Sequence, residues 1–374
     1  MTKTILPSVK LSLLLFLFIS ITTLNTACAV SPSEVKVLQD KAALAQQDLR
    51  LSLENGEDVS TILPLMQQVK PLADQGEIQQ AIQLLDTILI AFERNKVTPP
   101  TQINQIFSNP RPVTITGYKQ SVMEAFISRD GRYLFFNNED GEVPKQNKNI
   151  YYAERINDTH FKFMGEVKGI NSHEVDAVPT MDNDNNFYFV STAHYGKKNG
   201  FNTVYSGKFK NGHVTNIKPH PELSLKLPGW LNMDIEISAD GNTLYATHTD
   251  FSGGSPPKGS YFFIAHKQYQ KFVIDTNSDA IFEHINSDAL EYAAAISNDE
   301  LELFFTRLNF KNGISYTTHH TTRPDKSAPF SIPTRLDAIT GISEAITITA
   351  DGLLAYFHKK VGDHFALFVL DRVQ

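Results

Sequence analysis

Five acidic side chains stand at nearly the same place in five similar stretches of this chain: Glu124, Asp176, Asp234, Glu291 and Glu344. Each precedes a short apolar run that ends in a turn. If the stretches are equivalent in space, the acids gather at one level. Gathered carboxylates can do acid–base work: one protonates a leaving oxygen while another acts as base or nucleophile, which is what splitting a glycosidic bond requires. Several inward carboxylates would equally suit a hard cation. A third use is structural, because a carboxylate accepts well from the backbone N–H groups of a neighbouring element. Near the same level lie Met123, Tyr292, His173 in NSHEVDA, and Trp230 just ahead of NMD. Trp230, the only tryptophan, is a candidate platform for a sugar ring, with His173 and Tyr292 as further ligand-binding candidates.

Other chemistries find little support. There is no G-x-S-x-G, no H-E-x-x-H and no phosphate loop of the Walker or dinucleotide type. Cys28 is the only cysteine, so a thiol mechanism and an internal disulfide are both excluded. DNDNN (182–186) is rich in oxygen ligands but lacks the EF-hand spacing and its distal Glu. The expectation is no cofactor, with a cation at the acidic level as the one exception to keep open.

The elements that must position these acids repeat. The stretches read EAFISRDGRYLFF from 124, DAVPTMDNDNNFYFV from 176, DIEISADGNTLYA from 234, AAAISNDELELFF from 293 and EAITITADGLLAYF from 344. Aligned on Asp130, Asp182, Asp240, Asp299 and Asp351, they recur at intervals of 52, 58, 59 and 52 residues. Glu124, Asp176 and Asp234 then fall six residues before the turn aspartate, Glu344 seven and Glu291 eight. In each unit a strand ends in Ser or Thr, Asp-Gly makes a tight turn, and a return strand carries consecutive bulky apolar residues such as Leu134, Phe135 and Phe136. The second unit has DNDNN and the fourth DE in place of Asp-Gly, so different turns are expected there. A strand apolar on both faces is buried on both sides, and units of this length built from short strands fit sheets stacked around an axis.

Units of the form S-x-D-G-x-x-L-Y/F-F followed by I-Y resemble the WD40-like (PD40) propeller repeats of TolB-type periplasmic proteins. The resemblance spans roughly residues 111–374 and implies an all-β propeller; TolB itself is similar to a six-bladed ring, but five repeats make this one a five-bladed propeller of roughly four-stranded blades. The last unit ends after its third strand, and RPVTIT (111–116) is expected to supply the fourth and close the ring.

Residues 30–97 differ. Ile78, Ile82, Leu85, Leu89 and Phe92 recur at spacings of three and four, which places them on one face of a helix. The region reads as a short helical preface interrupted at Pro64 and Pro71, small for a core of its own, with 98–110 as a linker. Residues 1–29 resemble a signal peptide: Lys3 and Lys10 precede the apolar run 11–24, and LNTAC resembles a lipoprotein box in which Cys28 would be lipidated. That predicts a periplasmic protein tethered to the outer membrane, or else a soluble periplasmic or secreted one. The chain has 34 basic and 41 acidic residues, and loss of the leader takes its net charge from −7 to −9. Nucleic acid is therefore not an expected partner, and membrane contact is expected only through the lipid. The expected protein is a monomeric ring that binds an envelope protein or a glycan without catalysis. The alternative is a glycoside hydrolase-like enzyme drawing on the five acids.

Overall fold

The computed structural model describes residues 31–54, 59, 62–97, 105–139, 147–197, 200–309 and 314–373. The leader and the lipidation reading at Cys28 lie outside the described residues. The chain divides into two compact units, one covering the first 100 residues with 310–315, the other the remainder.

In the first unit three helices, Pro32–Glu54, Leu63–Asp74 and Ile78–Val97, share a core of their own. Leu85, Ile88 and Phe92 of the third helix are fully buried in it, together with Leu38, Ala45 and Val69. Pro64 does not interrupt a helix but starts one. At the first turn its missing N–H would have had no partner in any case. Pro71 lies inside that helix.

The second unit is a five-bladed β-propeller. Blade 1 runs Met123–Ile127, Tyr133–Asn137, Ile150–Asn157 and His160–Glu166 from the axis outward. Blade 2 is Asp176–Met181, Asn186–Ser191, Val204–Lys210 and His213–Pro219. Blade 3 comprises Ile235–Ile237, Thr243–Asp250, Ser260–Gln268 and Lys271–Ile274, with Trp230–Leu231 extending its inner edge. Blade 4 is Leu290–Ile296, Glu302–Asn309, Ser315–Thr322 and Thr334–Arg335. Blade 5 has Ser343–Ile348, Leu354–Val361 and His364–Arg372. Its fourth strand is Phe107–Pro112, paired antiparallel with His364–Arg372. The closing strand thus lies four residues earlier than the sequence suggested. Residues 114–116 instead run parallel to His160–Lys162 on the outside of blade 1. A break at Val113 lets the chain leave one blade for the next.

Alternation along the second strands builds five seams. Phe135 packs towards blade 2 with Phe187 and Phe209, while Leu134 and Phe136 pack towards blade 5 with Tyr356 and Val369. In blade 4, Phe304 joins Phe107 and Phe357, and Phe305 joins Tyr245 and Phe262 on the opposite side. Each buried aromatic contributes roughly 1.5–3 kcal/mol. Bulky residues on both faces of one strand are therefore what a stack of sheets requires.

The turns of blades 2 and 4 do not differ from the others in the way expected. The residue after the turn aspartate is left-handed in all five: Gly131, Asn185, Gly241, Glu300 and Gly352, with φ between 60 and 72°. Asn185 therefore matches the glycines, and the turn aspartate of blade 2 is Asp184. Asp182 takes the place of Ser128, accepting from the Asp184 and Asn186 N–H groups. In blade 4 the strained Glu300 is held by Tyr245, Lys326 and its own turn.

Candidate active site

Correcting the turn of blade 2 redistributes the acids. Six residues before the turn aspartates stand Glu124, Val178, Asp234, Ala293 and Ala345; seven before, Met123, Ala177, Met233, Tyr292 and Glu344. Asp176 and Glu291 share the eighth place. At this level the inner strand of every blade shifts register by one residue against its partner, between Met123/Phe126, Ala177/Thr180, Tyr292/Ala295 and Glu344/Thr347. In blade 3 the same shift separates the pairs Leu231↔Thr249 and Ile235↔Ala246. Such a bulge re-aims the side chain it carries. Four of the five bulges have a left-handed residue, at Glu124, Val178, Ala293 and Ala345. The alanines at 293 and 345 leave room, and a cavity of about 30 Å³ lies on the axis, lined by Glu124, Asp234, Ala293 and Ala345 among others.

Three acids meet at this mouth. Lys148 donates to Glu124 Oε1 at 2.6 Å, and Tyr292 Oη donates to Glu344 Oε2 at 2.5 Å. Asp234 stands beside them, near enough for the Glu124 and Glu344 charges to act on its carboxyl. Burial, with the Glu124 charge next in weight, pushes the Asp234 carboxyl up to about 8. Burial likewise lifts Glu344 to about 7, against the opposing hydrogen bond from Tyr292. Burial and the Glu344 charge raise Tyr292 well above the usual tyrosine range and Tyr316 to about 12. Glu124 Oε2 and Asp234 Oδ2 are buried and have no partner among the described residues.

Asp176 and Glu291 are not brought into this group. Glu291 takes the Ser287 N–H and hydroxyl and the Arg307 Nε, all within its own blade. Asp176 accepts from the Ser172 N–H at 2.5 Å, and burial raises its carboxyl. Both are clamps on the loop that leads into the inner strand. His173 is exposed on one of those loops. Trp230 is half-buried on the lip of blade 3, its carbonyl accepting from Tyr195 Oη at 3.0 Å. Tyr292 does reach the group, through Glu344.

Sequence reasoning missed Lys148, Tyr316 and His358, which come from a loop, a third strand and the far end of a second strand, away from the inner strands that carry the acids. Below the mouth Arg129 pairs with Glu236 at 2.6 Å, and Thr180 donates to the same carboxylate, so a buried ion pair fills the axis there. Blade 2 also holds a Ser206–His220–Glu222 line, at 2.8 and 3.1 Å. Its ring is wedged between Tyr188 and Phe272, and Ser206 is buried, so the arrangement ties strands together and offers no nucleophile to solvent. Among the described residues no group of three or more His, Cys, Asp or Glu is arranged to hold a metal ion.

No family model and no curated protein matches the chain. Solved structures do. One titled a glycoside hydrolase is similar at 11% identity over 72% of this chain and 92% of its own, with a TM-score of 0.49. Zg3597, a family 117 glycoside hydrolase from Zobellia galactanivorans, gives 11%, 72%, 91% and 0.48. The α-L-arabinofuranosidase PaAbf62A from Podospora anserina gives 11%, 72%, 96% and 0.43. The TolB-type, WD40-like assignment is therefore corrected: the repeat motif encodes a hairpin turn and a doubly buried strand, which any propeller blade needs. The reading of a binding ring without chemistry is set aside with it: the solved structures named here are titled as glycan-cleaving enzymes. Likeness at this level of identity speaks for the fold. The reaction has to come from the side chains.

Proposed function

We propose that the chain is a glycoside hydrolase whose acid–base chemistry is carried by Glu124, Asp234 and Glu344. The observation that supports this most is the pair of open oxygens, Glu124 Oε2 and Asp234 Oδ2, buried beside one cavity. Glu291, one structural clamp, is satisfied on both oxygens, while Asp176, the other, leaves Oδ1 open; it is the meeting of two open oxygens from different blades at one cavity that supports the reading. An orphaned buried acceptor costs roughly 1–3 kcal/mol, which a ligand hydroxyl would recover. With its carboxyl at about 8, Asp234 carries a proton at neutral pH and serves as the acid towards the leaving oxygen. Glu124, ion-paired on its other oxygen, serves as base or nucleophile. Glu344 acts through charge, helping to hold the proton on Asp234. Trp230 on the lip would stack against the sugar.

The test is release of 4-nitrophenol from a panel of aryl glycosides. Glu124→Gln and Asp234→Asn should each lower kcat by roughly 10²–10⁴. Glu344→Gln should move the alkaline limb of the pH profile to lower pH, because a neighbouring charge that raises Asp234 is gone. Trp230→Ala should raise KM. Full activity in Asp234→Asn and Glu124→Gln, or no release by the wild-type chain from any sugar of the panel, would overturn the assignment.

A further inference from the structure

At three of the five junctions in the ring, the bulge N–H of one blade is capped by a side chain from the second strand of the blade before it. Asn137 Oδ1 of blade 1 accepts from the Val178 N–H of blade 2 at 3.1 Å. Thr306 Oγ1 of blade 4 accepts from the Ala345 N–H of blade 5 at 3.2 Å. His358 Nδ1 of blade 5 accepts from the Glu124 N–H of blade 1 at 3.2 Å. Asn137, Thr306 and His358 occupy one structural place, directly opposite Met123, Tyr292 and Glu344 in their own blades. The same place in blade 2 is Val190, which cannot accept. The Asp234 N–H accordingly turns to Thr247 of its own blade.

Two of these caps hold Val178 and Ala345, residues without chemistry. The third holds Glu124, which is left-handed at φ 49° and needs a partner to keep that conformation. His358 also faces Glu344 across the strand pair. One fully buried imidazole thus touches the backbone of one mouth acid while standing opposite another.

We infer that His358 is a positioning residue, which fixes the backbone of Glu124 and with it the spacing between Glu124 and Glu344 across the blade 5–blade 1 junction. Because Nδ1 accepts, the ring proton sits on Nε2. Burial keeps the ring neutral, down to about 3, so the acceptor persists across the range in which the acids titrate. The role in turnover rests on the hydrolase reading; the cap itself does not.

The experiment pairs aryl-glycoside kinetics with amide hydrogen exchange at Glu124 in three full-length variants. His358→Leu should speed exchange of the Glu124 amide and lower kcat by about 10- to 100-fold with KM little changed. His358→Asn, which supplies the acceptor that Asn137 supplies in blade 1, should restore both. Asn137→Leu should cost melting temperature but leave kcat as it was. Wild-type kcat and Glu124 exchange in His358→Leu would overturn the inference. If His358→Leu fails to fold, His358→Asn decides alone, since a lost kcat with normal Glu124 exchange would mean that the imidazole itself takes part. A wild-type chain that hydrolyses nothing sinks the hydrolase reading, and Glu124 exchange still decides the cap.

Discussion

Asp234 keeps its proton where an aspartate in water would have lost it, and that has a cost for the fold. A carboxyl raised to about 8 binds its proton in the folded chain over a range where the unfolded chain has released it. Stability therefore falls as pH rises, and Glu344, at about 7, adds to the trend. Buried His358 and His319, both lowered to about 3, and His320, lowered to about 4, act in the opposite sense, but only below the unfolded histidine value of 6.5. From about pH 6.5 to 8 the carboxyls dominate among these groups. Asp234→Asn should remove much of that slope, leaving the variant more stable than wild type at pH 8 by on the order of a few kcal/mol, with the gap narrowing steadily towards pH 4. Melting temperature against pH would check it, and parallel curves for the two proteins would refute it. The sequence made Asp234 visible because a repeat put it in line with other acids. It could not separate Asp234 from Asp176, since that distinction turns on a bulge and a two-residue difference in where a turn is counted. Lys148 belongs to no motif, and His358 sits one place beyond the stretch that repeats.

At the level of the element, the repeat encodes its hairpin through one backbone angle rather than one residue type. Asn185 and Glu300 adopt the conformation that glycine takes in the other three blades. Asparagine does so at small cost, because its short polar side chain bonds locally. Asn185→Ala should cost about 1–2 kcal/mol, whereas Asn185→Gly should be close to neutral. Chemical denaturation of the two variants separates these outcomes, and equal stability would show that the turn is not under strain. The strands themselves were legible from the doubled apolar residues. The turns of blades 2 and 4 were not, because what matters there is the sign of φ. In blade 4 the strain is offset by bonds to Tyr245 and Lys326, whose sequence positions give no hint of it.

The whole ring depends on five seams, and two of them join distant parts of the chain: blade 1 packs on blade 5, and Phe107 enters the seam between blades 4 and 5. Phe107 is buried against Phe304 at 5.8 Å between ring centres, with the Arg372 guanidinium over its face. Phe107→Ala should cost about 3–5 kcal/mol and loosen blade 5 first, visible as faster amide exchange in 364–372. Uniform loosening of all blades would instead mark the ring as a single cooperative unit. That a strand from before the first repeat completes the last blade was legible, because the last unit is one strand short. Its register was not, since Phe107–Pro112 carries two prolines and an irregular pairing with no alternation to read. The closure also has a kinetic meaning. Blades 1 to 4 each form from neighbouring residues, but blade 5 waits for Phe107–Pro112 to meet His364–Arg372 across some 260 residues. Closing so long a loop is slow. On a chain still being synthesised, four blades can assemble while the mouth that needs both Glu124 and Glu344 does not yet exist. The acid cluster, and whatever it does, then comes into being in the final step of folding.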